Sequence, residues 1–162
     1  MWKPQSLRAT LRSFLEWVKT DPEKLEVYVD KGTIVATAAK SASFEYRYFV
    51  VIEIKSFAGD PDLLFMAIVV WLRKYQNDIL QNHSQTYPAS KEPFTFEVFP
   101  INNTSVDIDI RLSLTEAVFS DLIDGKLQIK PKRPEMAEQW EFWIRDELIA
   151  SFTDKPEGWP DL

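Results

Sequence analysis

The 162-residue chain has no cysteine, four glycines and a single histidine, and each shortage removes a class of chemistry. Without cysteine there is no disulfide, no thiolate nucleophile and no sulfur-ligated zinc, a composition compatible with a reducing compartment. Four scattered glycines cannot build a phosphate-cradling loop. Any Ser/His/Asp relay would have to use His83, which lies among Asn82, Ser84 and Gln85 in a polar stretch that reads as an exposed loop, with no nucleophile elbow beside it. Basic charge is also short. Nineteen Lys and Arg against 25 Asp and Glu give a net charge of −6, which argues against a surface that grips nucleic acid by neutralising phosphates. A wall past which DNA slides without sticking remains compatible with that balance. The opening Met1-Trp2-Lys3-Pro4 lacks the apolar run of a secretory signal, and no later run reaches the roughly 20 apolar residues of a membrane span, so the expectation is a soluble protein made in the cytoplasm.

What the chain has in quantity is hydrophobic and aromatic side chains, 45% and 14% of the residues, enough for one domain with a real core. The most informative stretch is residues 44–80. Phe44, Tyr46, Tyr48, Val50, Ile52 and Ile54 recur at period two, opposite Glu45, Arg47, Phe49, Val51 and Glu53, which predicts a long strand with one face in a core. Gly59-Asp60-Pro61-Asp62 then opens a helix: Asp60 can cap the free N–H groups, Pro61 suits the first helical position and Asp62 favours the positive end of the helix dipole. Residues 63–72 are all apolar, so this helix is expected to be covered on most sides.

Elsewhere Ser6 is expected to cap a helix with Leu7, Leu11, Phe14, Leu15 and Val18 on one face, ended by Asp21-Pro22. Leu25, Val27 and Val29 alternate as a strand that Lys31-Gly32 is expected to turn back on itself. Phe94, Phe96 and Val98 mark another strand, and Val106, Ile108, Ile110, Leu112 and Leu114 a further one. Asp124-Gly125 sits between two apolar segments as a tight hairpin turn. Lys130-Pro131-Lys132-Arg133-Pro134 reads as a stiff linker, after which Trp140, Phe142 and Ile144, then Leu148 to Phe152, predict a terminal hairpin. The expected fold is α+β: a mostly antiparallel sheet packed by an N-terminal helix and a buried central helix, with residues 1–130 as the core and 131–162 as linker, hairpin and tail.

Asp107 and Asp109 share one face of a strand, with Glu97 on an expected neighbour. Such carboxylates could hold Mg²⁺ as in a nuclease, but alternation alone places acidic side chains on the solvent face, and they could equally line an acidic surface. Of the six tryptophans, Trp140 and Trp143 have mainly acidic neighbours, which favours core or interface anchoring over base stacking.

Several short phrases, in order, resemble the tail completion protein R family of temperate contractile-tailed phages of the P-two type. They are Lys3-Pro4-x-Ser6-Leu7-Arg8, Val29-Asp30-x-Gly32, Ser43-Phe44-Glu45-x-Arg47-Tyr48, Phe57-x-Gly59-Asp60-x-Asp62-Leu63-Leu64, Trp71-Leu72-Arg73, Ile101-Asn102-Asn103, Asp107-Ile108, Leu114-Thr115-Glu116 and Asp124-Gly125. The resemblance implies a non-enzymatic virion protein with a tail-terminator-like fold and no cofactor or metal. It implies a protein that caps the head-proximal end of the tail tube after assembly in the host bacterial cytoplasm, meeting tube, sheath and neck or head-completion proteins, with no membrane partner. By analogy with tail terminators it implies a homohexameric ring through which DNA passes without specific binding. Glu97, Asp107 and Asp109 would then face the lumen, and Trp140, Phe142, Ile144, Leu148 and Phe152 a neighbouring subunit. A neck or head-completion connector ring is the alternative, with a Mg²⁺-dependent nuclease behind it.

Overall fold

The structure is a computed structural model that describes residues 1–36, 41–81, 93–132, 139–144 and 147–153. Helix α1 (Lys3–Phe14) leads into the short α2 (Glu16–Thr20), with Leu15 between them in extended conformation. A 3-10 turn (Pro22–Lys24) delivers the chain to β1 (Leu25–Ala36). Next come β2 (Phe44–Phe57), α3 (Pro61–Tyr75) and α4 (Asn77–Gln81). The strands β3 (Phe94–Pro100), β4 (Val106–Ile123) and β5 (Lys126–Pro131) complete the main sheet. Its order is β1-β2-β4-β3, with β5 paired to the far part of β4, and every pairing is antiparallel. The strands β6 (Gln139–Ile144) and β7 (Glu147–Thr153) pair with each other as a separate hairpin, and β7 lies beside α1. The expected α+β class, with its N-terminal and central helices and terminal hairpin, is what forms.

One face of the sheet makes the core. Val27, Tyr48, Val50, Ile52, Ile54, Ile108, Ile110, Leu112 and Leu114 are buried in one cluster with Leu7 and Leu11 of α1 and Leu64, Ile68, Trp71 and Leu72 of α3. These are the period-two sets of β2 and β4 meeting the period-3.6 sets of the helices. The start of α3 follows its sequence signals: Asp60 Oδ1 accepts the Asp62 N–H at 2.9 Å, Pro61 occupies the first turn, and Arg73 and Lys74 lie in the last. The Asp124-Gly125 turn also forms as expected, with φ of 50° and 72°, the pair of positive values a two-residue hairpin requires.

Four local expectations are corrected. Helix α1 starts at Lys3, not Leu7, and Ser6 is buried inside it rather than capping it. Gly32 makes no turn, because β1 continues through it with an irregularity between Val29 and Lys31. A Cβ at Gly32 would lie 2.7 Å from Tyr48 Cβ and 2.9 Å from the Arg47 carbonyl oxygen, so glycine there permits close strand approach. Lys130 and Pro131 are not linker but the end of β5, opposite Phe119 and Val118. Helix α3 is buried along only one stripe, Leu64, Ala67, Ile68, Trp71 and Leu72, while Met66 on its outer side is 49% exposed. The unassigned residues 37–40, the polar loop with His83, the rest of the linker from Arg133 and the tail with Trp159 lie outside the described residues.

Candidate functional site

The sheet face away from the helices carries the acidic residues. Asp107, Asp109 and Glu97 do come together there, on adjacent strands, and register adds two carboxylates that strand-by-strand reading left unaligned. Glu26 stands opposite Glu53, Glu53 opposite Asp109, and Asp109 opposite Glu97, so one cross-strand row of four carboxylates traverses β1, β2, β4 and β3. Like charges directly opposite each other destabilise a sheet, so the row is a local cost carried by the packed face beneath it. Burial, together with Glu53, Glu97 and Asp107, raises the Asp109 carboxyl above its ordinary pKa against the opposing pull of Lys55. Among the described residues, Asp109 Oδ1 has no hydrogen-bond partner.

The neighbours of the row hold it in place. Tyr28 Oη donates to Glu53 at 2.6 Å, Lys55 Nζ lies 3.5 Å from Asp107 and 3.9 Å from Glu53, and Asp107 Oδ1 accepts the Ser56 N–H at 2.8 Å. That N–H comes from a strained position, since Ser56 has φ of 53° where the β2–β4 register slips. Beside the row, Arg111 lies over the Phe49 ring at 4.2 Å and reaches Asp30 at 3.2 Å. Among the described residues, no group of three or more His, Asp or Glu side chains is placed to hold a metal ion. The side chains of Trp140, Phe142, Ile144 and Phe152 lie outside the described residues, while Leu148 on β7 is exposed.

A second constellation was missed by sequence reasoning, and it gathers several of the phrases that carry the family resemblance. Glu116, 5% exposed on β4, accepts the backbone N–H of Trp2 at 2.9 Å and of Lys3 at 3.0 Å, and the hydroxyl of Tyr48. It thereby caps the start of α1, the role assigned to Ser6, from more than a hundred residues away. Lys3 Nζ in turn donates to the Tyr75 carbonyl at 2.7 Å and to Gln76 Oε1 at 2.5 Å, and Gln76 bridges to Asp78 and Thr115. Burial lowers the Lys3 ammonium pKa to about 8, with Glu116 and Asp78 pulling it upward, and burial with Glu116 pushes the Tyr48 hydroxyl upward. Ser6 Oγ accepts the Trp71 indole N–H at 3.0 Å, joining α1 to α3. Beyond the phrase Leu114-Thr115-Glu116, the sequence signal for Glu116 is its place: continuing the β4 alternation past Leu114 puts an acidic side chain on the core face, where an unpaired charge would not be tolerated.

Gly59, Asp60, Asp62, Leu63, Leu64, Trp71 and Leu72 therefore build and anchor α3. Gly59 packs under Phe57, whose ring atoms would come within 3.1 Å of an added Cβ. An α+β scaffold that commits its buried polar groups to fixing helices, and presents a charged sheet face, has the character of an assembly component. The chain belongs to the P2 phage tail completion protein R (GpR) family, whose model matches residues 1–136. It is 38% identical over 159 residues, covering 95% of this chain and all of the relative, to "Tail completion protein R" of Escherichia phage P2. No solved structure matches the chain.

Proposed function

We propose that this protein is a structural component of a phage tail that completes the tail by capping the head-proximal end of the tube, so that the filled head can join. The observation that carries this is the family match across residues 1–136, which spans both the acidic face and the Glu116 cluster. The protein acts as a homohexameric ring contacting tube, sheath and neck proteins, without catalysing a reaction. The row Glu26, Glu53, Asp109 and Glu97, with Asp107, supports a face turned toward the lumen, where clustered carboxylates repel the DNA backbone and let it pass without binding. The terminal hairpin, with Leu148 exposed, supplies part of the subunit contact. Asp107 is engaged by Ser56 and Lys55, which supports a structural rather than a metal-binding role.

The test is electron microscopy of particles assembled without this protein. Tails of abnormal length are expected. Tails of normal length that fail to attach would instead assign it to the neck connector, and normal infectious particles would refute both roles.

A further inference from the structure

Two unlike apolar surfaces stand at opposite ends of β4. At one end, the part of β4 beyond Val118 leaves the helices behind and pairs with β5 alone as a two-stranded ribbon. The ribbon continues the core side of the sheet, but its apolar side chains stay open among the described residues: Leu122 is 73% exposed, Leu127 58% and Ile129 64%. At the other end, Phe57, Phe65, Phe96, Val98 and Ile108 line a groove of about 590 Å³ between the start of α3, the edge strand β3 and the turn before β4. Phe96, whose ring centroid lies 4.9 Å from that of Phe65 at a tilt of 52°, lines that groove and is 56% exposed. Among the described residues its outer edge is unpaired backbone, since β3 is the last strand on its side of the sheet beside Val106–Ile123.

The two surfaces cannot meet within one chain. Val106 in the groove and Leu122 on the ribbon belong to one continuous strand, and their separation is about 50 Å at roughly 3.3 Å per residue. The ribbon's lysines do not interrupt its apolar face: Lys126 and Lys130 alternate onto the opposite face, where Lys130 lies 3.7 Å from Asp121, and no cation stands among the residues that line the groove.

We infer that the occupant of the groove is a second copy of this chain: the β4–β5 ribbon of one copy seats Leu122, Leu127 and Ile129 on Phe65, Phe96 and Val98 of the next. This deepens the proposed homo-oligomer and rests on it. Because ribbon and groove differ and face opposite ways along β4, each copy has one of each left to offer, and the contact propagates head to tail until it closes. It also places the main subunit contact on β4, β5 and β3 rather than on the terminal hairpin alone.

The test uses the full chain in two measurements. In the first, a photoactivatable phenylalanine analogue replaces Leu127 in protein that completes tails, and the cross-linked peptides are identified. The expected product joins residue 127 to peptides spanning 57–66 or 94–106 of another copy. In the second, Leu127→Asp and Phe96→Asp variants are studied separately and mixed by mass photometry. Each alone should need at least about tenfold more protein to assemble, because a charge would have to be buried in the contact. The mixture should give a 1:1 dimer, since it restores one intact ribbon and one intact groove per pair. Cross-links to another tail protein, or to a different part of a second copy, overturn the ribbon-in-groove contact and leave the ring standing. A mixture that behaves as either variant alone overturns it in the same way. Absence of any chain-to-chain cross-link in completed tails, with wild-type protein monomeric at every concentration, overturns both.

Discussion

Glu116→Ala is the perturbation with the largest effect expected on the fold. The carboxylate is buried on β4 and accepts two backbone N–H groups at the start of α1 and the Tyr48 hydroxyl. A hydrogen bond to a charged group contributes about 1.5–3 kcal/mol, and loss of a helix cap alone costs about 0.5–2 kcal/mol. Summing three such bonds would overstate the loss, because the cluster borders an open hollow lined by Trp2, Lys3, Gln76 and Glu116 through which water can reach the freed donors. The expected destabilisation is about 4 kcal/mol, a large share of the roughly 5–15 kcal/mol that holds a domain folded. Glu116→Gln keeps the size and one acceptor oxygen and should cost about 2 kcal/mol. Tyr48→Phe should cost about 1 kcal/mol alone and nearly nothing in the Glu116→Ala background, because the bond is already gone. Urea denaturation measures all of these as a shift of the midpoint at unchanged slope. A Glu116→Ala loss below about 1 kcal/mol, or strict additivity with Tyr48→Phe, would refute the capping role.

Lys3 gives a pH signature: its folded pKa of about 8 lies below the ordinary lysine value of 10.5, so above pH 8 the unfolded chain holds more protons than the folded one. Stability should therefore rise from about pH 8 toward pH 10, by up to about 3 kcal/mol from this group, and Lys3→Met should remove that slope in chemical denaturation. Above pH 10 the raised Tyr48 opposes the rise, since its hydroxyl ionises more readily in the unfolded chain. Asp109→Asn should stabilise the fold slightly, by about 0.5 kcal/mol at low salt and less at high salt, because it relieves the four-carboxylate row. The same change together with Asp107→Asn should leave no Mg²⁺-dependent DNA cleavage to lose, and cleavage by the wild type that the pair abolishes would overturn the proposed non-enzymatic role. Gly32→Ala should cost about 2 kcal/mol by pushing β1 off Tyr48, whereas Gly125→Ala, which meets no neighbouring atom, should cost only about 1 kcal/mol through its positive φ. Thermal melts of the two variants give the comparison.

The amino-acid order by itself determined the elements whose causes are local. The alternation in β2 and β4 assigned their core faces, Asp60-Pro61-Asp62 set the start of α3, and Asp124-Gly125 set a two-residue turn. It also determined the family, because the resemblance lies in short phrases kept in order along the chain. What it could not determine depends on partners distant in sequence. Ser6 has the chemistry of a cap, but Glu116 reaches the same N–H groups from β4 and releases Ser6 to bind Trp71. Gly32 has the chemistry of a turn, but the approach of Tyr48 on β2 gives it a different use within a continuous strand. Alternation turned Glu26, Glu53, Glu97 and Asp109 outward one strand at a time, whereas pairing register alone set them in a single row. The apolar residues 63–72 specify a helix without saying which side is covered. Only packing on the sheet decided that Leu64, Ile68 and Trp71 face inward and Met66 outward. Burial is a property of the assembled surface, not of a side chain's hydrophobicity, and so the tertiary structure decides which apolar groups the fold consumes and which it leaves for a partner.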